Sequence, residues 1–469
     1  MINKNKTFVI DENNIFLNDK LKREIEIENL SSLIVSTEEA FTMSINADWG
    51  AGKTTFIKLW KEYLEQEHDV NSIYFSVWED DFSNEPLISI LGEINDYISE
   101  KFEDKDEVIA KLDTVKEFGG KVIKRGLPAF ISGITGGILD TNKGIESAIS
   151  AITKETTKNL IENYSKEKKI TEKFQESIET LLTHIDNDKP FVIFIDELDR
   201  CRPLYAIELL ERVKHIFGID GLVFVLSIDK KQLSESIKSQ YGNIDTNSYL
   251  KRFIDLEYNL VNTSKDDFCD YLYDKYKLDS LIRAKDIRNI DRGDLDHLEM
   301  MKYLSESLNL TLREIEQAFI QINIVFKTIQ PRLLKSYFRV FVFFIILRIK
   351  DQSLYFDLIH KRKSHDEIMG KIILTINKND NIYDLGTVLK SLIYATSTTD
   401  EELNSIISKE ENKLEMMKDD NSNSIYDDEQ IWLVDLLTTT YGEWRGFRLN
   451  KLIDSAIKKI EFVDRFNFE

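Results

Sequence analysis

Proline, cysteine, basic charge and long apolar runs are all scarce in this chain, and each scarcity narrows what it can be. Only 5 prolines occur in 469 residues, and 42% of the residues are hydrophobic; such a chain suits a soluble globular protein of two or three domains with substantial cores. Two cysteines, Cys201 and Cys269, cannot form a disulfide framework, and the first 20 residues lack the apolar centre of a secretory signal. A reducing, cytoplasmic location is the expectation. The 62 basic residues are outnumbered by 83 acidic ones, a formal charge of −21, so broad nucleic-acid binding or adhesion to an anionic membrane is not expected. A local basic patch remains open.

Two apolar runs, 127–139 and 337–349, have 13 residues each, whereas crossing a bilayer takes about 20. No transmembrane span is expected. The second run, interrupted by Arg339 and Arg348, reads as a buried helix. The first, with Pro128, Gly133, Gly136 and Gly137, has three readings: a buried helix, a membrane-dipping hairpin or a partner-binding segment. Lys121, Lys124 and Arg125 precede it, which keeps a peripheral membrane contact through 121–139 in view. The 6 histidines show no metal-ligand spacing, and His360 and His365 read as surface residues.

What is present centres on Ala47-Asp48-Trp49-Gly50-Ala51-Gly52-Lys53-Thr54. This octapeptide lies between a strand-like run, 41–46, and a segment whose Phe56, Leu59, Trp60, Tyr63 and Leu64 share one helical face. Successive backbone N–H groups in such a loop can hold β- and γ-phosphate oxygens, and Gly50 and Gly52 let the backbone approach them. Asp48, Trp49, Ala51 and Thr55 complete the expected nucleotide-binding stretch. Lys53 is placed to meet the phosphate charge, Thr54 to ligate Mg²⁺, and the following helix aims its N-terminus at the anion. The first position is Ala47 where the G-x-x-x-x-G-K-[ST] pattern has glycine.

Further strands are expected over 73–78, 191–195, 222–228 and 253–259, with an almost wholly helical stretch, 80–188, inserted before the third strand of the chain. The run Phe191-Val192-Ile193-Phe194-Ile195 suits a parallel strand buried on both faces. It ends in Asp196-Glu197, where ligands of open α/β sheets collect. Asp196 is the expected second contributor to the magnesium shell and Glu197 the general base that polarises water. At the end of 222–228, Ser227 or Asp229 is in reach of the water or phosphate, while Asp229 also reads as a cap for the helix that follows.

A helix over 18–35, with Leu21, Ile25, Leu30 and Leu33 buried, precedes the loop. After 259 the pattern is helical; Thr311 and Glu314 read as a capping pair, and Arg313 beside them as a residue able to reach the nucleotide or to pair with Glu316 or Gln317. Helix-like segments over 384–395, 400–417 and 431–440 flank a polar, acidic link, 418–429.

With these residues in place the chain resembles the KAP family of P-loop NTPases, related to the AAA and STAND signalling NTPases. The resemblance rests on the loop octapeptide, on Asp196-Glu197-Leu198-Asp199-Arg200-Cys201-Arg202-Pro203, on Phe224-Val225-Leu226-Ser227-Ile228-Asp229, on Tyr249-Leu250-Lys251-Arg252-Phe253-Ile254, and on Phe75-Ser76-Val77-Trp78-Glu79. It implies ATP as the nucleotide and a role in bacterial antiphage defence or signalling. Family members often carry a transmembrane pair where this chain has 80–188, a segment too polar for that.

The resulting expectation is an α/β fold: a P-loop NTPase core with a parallel sheet over 1–262, a helical lid over 263–350 and a helical C-terminal domain over 351–469. ATP, bound with Mg²⁺ between core and lid, would be hydrolysed to drive a switch acting through a homo-oligomer or a partner effector. Arg200 and Arg252 are candidates for an arginine supplied to a neighbouring subunit, or for ion pairs with Asp199 and Asp255. A nucleotide-stabilised binding scaffold is the rival reading, and a DNA motor a third.

Overall fold

The computed structural model describes residues 10–125 apart from 12, 38, 80 and 82–84; 154–260 apart from 187; and 265–285, 297–328, 334–372, 383–419, 433–434 and 449–463. The apolar run 127–139, most of the acidic link 418–429 and most of the expected helix 431–440 lie outside these residues. The chain forms two compact units, Met1–Asn262 and Thr263–Glu469.

The first unit is built on five strands: β1 (Phe41–Asn46), β2 (Ser72–Ser76), β3 (Phe191–Asp196), β4 (Leu222–Ile228) and β5 (Leu256–Asn259). They lie in the order β2-β3-β4-β1-β5 with every neighbouring pair parallel. Successive side chains of a strand point to opposite faces, and β3 divides accordingly. Val192 and Phe194 join Met43, Ile45, Val223 and Val225 in a core shared with helices α1 (Glu24–Val35) and α2 (Lys53–His68). Phe191, Ile193 and Ile195 join Phe224 and Leu226 on the other face.

That other face is covered in part by the insertion. Helices α3 (Pro86–Lys101), α4 (Asp106–Arg125) and Lys154–Ile185 contribute Ile90, Ile94, Leu112, Val115, Phe174 and Ile178 to the core shared with Ile193 and Phe224. These three helices of the inserted stretch are therefore a structural layer of the first unit, held by apolar burial. Gly119 shows how tightly it packs: a Cβ there would lie 2.6 Å from Leu91 and 3.2 Å from Phe174. At the start of α3, Glu85 caps Leu87 N–H and takes two hydrogen bonds, at 2.8 and 3.0 Å, from the Arg212 guanidinium.

Three boundaries differ from the sequence expectation. α1 begins at Glu24, because Lys22 takes a positive φ of 54° and Asp19 accepts hydrogen bonds from Leu21 and Arg23 N–H, which closes a turn. Its buried stripe is Ile27, Leu30, Ser31 and Ile34, while Ile25 and Leu33 are exposed; only Leu30 of the expected set is in the stripe. β2 stops at Ser76, where Glu79 N–H bonds back to Ser76 O and Trp78 is left exposed. β5 begins at Leu256, since the Phe253 and Ile254 N–H groups still bond to Leu250 O at the end of helix Thr246–Leu250.

The elements described in the second unit are all helices, and Tyr383–Ser397 and Asp400–Asp419 form where the pattern placed them. One core runs from Cys269 through Phe319, Phe343 and Leu354 to Ile460, so residues of 263–350 and of 351–469 bury the same apolar surface. Helix Leu312–Thr328 opens with a reciprocal cap, Glu314 N–H to Thr311 Oγ at 3.2 Å and Thr311 N–H to the Glu314 carboxylate at 2.6 Å. In helix Leu334–Lys350, every residue from Val340 to Leu347 is buried. Among the described residues no helix is long and apolar enough to cross a membrane.

Candidate functional site

β1 runs into the loop and the loop into α2. Ala47 N–H continues the sheet ladder by donating to Ile228 O at 3.2 Å, so the residue at the irregular first position is committed to the sheet. Gly50 and Gly52 take φ values of 79° and 86°, a left-handed region that glycine enters without steric cost. No side chain caps the start of α2, whereas Asp229, Asp245 and Asp351 cap the helices that follow them. The first N–H groups of α2 therefore present their positive ends to the loop without a side-chain acceptor. The Lys53 ammonium donates to Ala47 O at 2.6 Å and Asp48 O at 3.2 Å. Burial lowers its pKa from the ordinary lysine value, opposed by the charges of Asp199, Asp229 and Asp196.

β3 delivers the acids. Asp196 is buried; one carboxylate oxygen accepts from Thr54 Oγ at 2.7 Å and from the Tyr74 hydroxyl at 3.2 Å, and the other from Glu197 N–H at 2.9 Å. Burial, then the Asp196 charge and hydrogen bond, raises the Tyr74 pKa. Glu197 has a left-handed backbone, φ 65°, which for a non-glycine residue costs of order 1–3 kcal/mol and clusters at functional sites. Its carboxylate accepts from Ser76 Oγ at 2.6 Å and from the Arg200 guanidinium, which lies 5.9 Å from the centre of the Trp78 ring. Arg200 thus pairs with Glu197, while Asp199 is engaged elsewhere. The Asp199 oxygens accept the Trp49 indole N–H and, at 3.0 Å, Asp229 N–H. Burial raises the Asp199 pKa, opposed by those two hydrogen bonds and by Lys53.

Asp229 is also buried. It caps Lys231 and Gln232 N–H at 3.1 and 3.2 Å and accepts Trp49 N–H at 3.1 Å, so the capping role is present and joined to the loop. Ser227 stands opposite Asp196 in the β3–β4 register, fully buried and with no hydrogen-bond partner for its hydroxyl. Asp48 is exposed and paired with Lys231 at 3.0 Å; Thr55 lies in the first turn of α2. Arg252 is exposed in the turn after helix Thr246–Leu250, and Asp255 accepts instead from Thr42 N–H and Lys214. Arg313 belongs to the second unit, exposed in the first turn of Leu312–Thr328, where Glu316 pairs with Lys275 at 2.9 Å.

The donor set fits a nucleoside triphosphate with Mg²⁺. Thr54 and Asp196 supply hard oxygen ligands, and the uncapped α2 terminus and Lys53 suit phosphate oxygens. The Ser227 hydroxyl is an unsatisfied buried group, a kind that normally has a partner. Sequence reasoning did not single out Tyr74, Ser76 or Asp199 for the site. Alternation along β2 puts Tyr74 and Ser76 on one face, but only the sheet order shows that this face meets Asp196.

Fold and site together define a P-loop NTPase. A family model described as the KAP family P-loop domain matches residues 23–343, and the chain belongs to that family. Among solved structures, the chain is similar to C. elegans PCH-2, at 13% identity and a TM-score of 0.29, covering 72% of this chain and 69% of that one. It is also similar to the Aeropyrum pernix ORC2 protein, determined as ADPNP-ADP complexes, at 11% identity and a TM-score of 0.33, covering 95% and 94%. No curated protein matches the sequence.

Proposed function

We propose that the protein is an ATP-hydrolysing regulatory switch. The observation that carries this reading is the 2.7 Å hydrogen bond between Thr54 and Asp196, which joins the phosphate loop to the acidic end of β3 across 142 positions of sequence. Within the stretch 48–55, backbone N–H groups from Gly50 onward bind the triphosphate, and Lys53 neutralises charge on the transferring phosphoryl oxygens. Thr54 and Asp196 hold Mg²⁺, which when bound neutralises phosphate charge. Glu197 accepts the proton of the attacking water. ATP as the nucleotide, and a role in bacterial antiphage defence or signalling through a homo-oligomer or a partner effector, are supported by the family kinship.

One observation favours a second reading, a nucleotide-stabilised scaffold without turnover: both Glu197 oxygens already accept hydrogen bonds, from Ser76 and Arg200. Each oxygen retains a lone pair for water, but in the ion pair with Arg200 the charge that would attract the water's proton is already compensated. Withdrawal of Arg200 toward a neighbouring subunit would release that charge, and the exposed Arg252 is the other candidate arginine in trans. Phosphate release by wild type and Glu197→Gln across protein concentration decides between the readings. The switch reading expects wild-type turnover that rises with concentration and falls at least about a hundredfold in Glu197→Gln, the usual scale for loss of a general base, with ATP binding retained. Absence of wild-type turnover at every concentration would sink it in favour of the scaffold.

A further inference from the structure

Trp49 is 46% exposed, yet both of its N–H groups are committed to acids that follow two different strands. The indole N–H donates to Asp199, beyond β3, and the backbone N–H donates at 3.1 Å to Asp229, beyond β4. The ring of contacts closes because Asp229 N–H donates to the second Asp199 oxygen at 3.0 Å. Asp199 is 8% exposed, and it uses one carboxylate oxygen for each donor, an arrangement that an amide, with a single acceptor oxygen, cannot reproduce. Trp49 immediately precedes Gly50, the first left-handed residue of the loop. Fixing Trp49 therefore fixes where the phosphate-facing N–H groups begin.

We propose that Asp199 is a positioning residue for nucleotide binding, holding the phosphate loop through the Trp49 indole and the end of β4 through Asp229. The inference rests on the nucleotide-binding reading above. Asp199 makes its contribution through the loop, without touching phosphate or metal. Tryptophan at this position serves as a hydrogen-bond donor on a rigid ring, and that ring stays half exposed.

The test uses the full-length chain, a fluorescent ATP analogue with Mg²⁺, and the variants Trp49→Phe, Asp199→Asn and the double substitution. Trp49→Phe keeps an aromatic ring at a half-exposed position and removes the indole donor, so it guards against a result due to misfolding. Each single variant is expected to weaken binding about tenfold, the scale of one lost coupled contact. The double variant should be no worse than the weaker-binding single. Ligand-free Trp49→Phe should still unfold in one cooperative transition, its midpoint lowered only by the loss of one hydrogen bond, so that weakened binding is read on a folded protein. Binding by Trp49→Phe within about twofold of wild type, or additive losses in the double variant, would overturn the inference while leaving the nucleotide-binding reading intact. Failure of the wild type to bind the analogue would instead remove that reading, and the inference with it.

Discussion

Asp196 is satisfied by Thr54, Tyr74 and its neighbour's N–H, Asp199 by Trp49 and Asp229, and Glu197 by Ser76 and Arg200. Residue by residue, the site thus gathers ionisable groups at low exposure and gives each a specific partner. The cysteine in the same turn meets a different environment. Burial, then the charges of Asp81, Asp199 and Glu197, pushes the Cys201 thiol up to about 12, and burial likewise pushes the Cys269 thiol up to about 12. The thiolate is the reacting form, so alkylation of the folded protein by iodoacetamide at pH 8 is expected to be on the order of a thousandfold slower than that of a free cysteine. Mass spectrometry of the native and the denatured chain checks this. Rapid native labelling of either cysteine would contradict the burial described.

Among the elements, α2 links the core to the loop. Trp60 is fully buried, its ring 5.3 Å from Phe194 and its indole N–H bonded to Ser31 Oγ at 2.9 Å, so one side chain ties α2 to β3 and α1. Trp60→Ala is expected to cost about 3–5 kcal/mol, the range for deleting a buried aromatic, measured by denaturant unfolding of the full chain. A loss under about 1 kcal/mol would mean that the helix is not anchored there. The elements also show where sequence patterns suffice. The apolar runs of β3 and β4 are readable because a strand buried on both faces leaves few polar positions. The start of α1 is not readable, because its phase depends on the turn that Asp19 and Lys22 make.

Across the molecule, ligand binding should register in segments that are distant in sequence and adjacent in the sheet. Hydrogen exchange with and without ATP and Mg²⁺ is expected to show added protection in 47–56, 196–201 and 227–232, because these hold the loop, the end of β3 and the end of β4. Protection confined to 47–56 would show that the three are not coupled. The loop, the acids at 196 and 197 and the parallel core were legible in the residues alone, since glycine conformations, phosphate chemistry and apolar runs are local properties. Tertiary packing settled the rest: that Ser76 and Arg200 engage Glu197, that Asp199 holds Trp49, and that the described helices of the insertion pack on one face of the sheet. Those facts depend on which strands and helices become neighbours, a choice made by burial summed over the whole unit, with no signature at any single position.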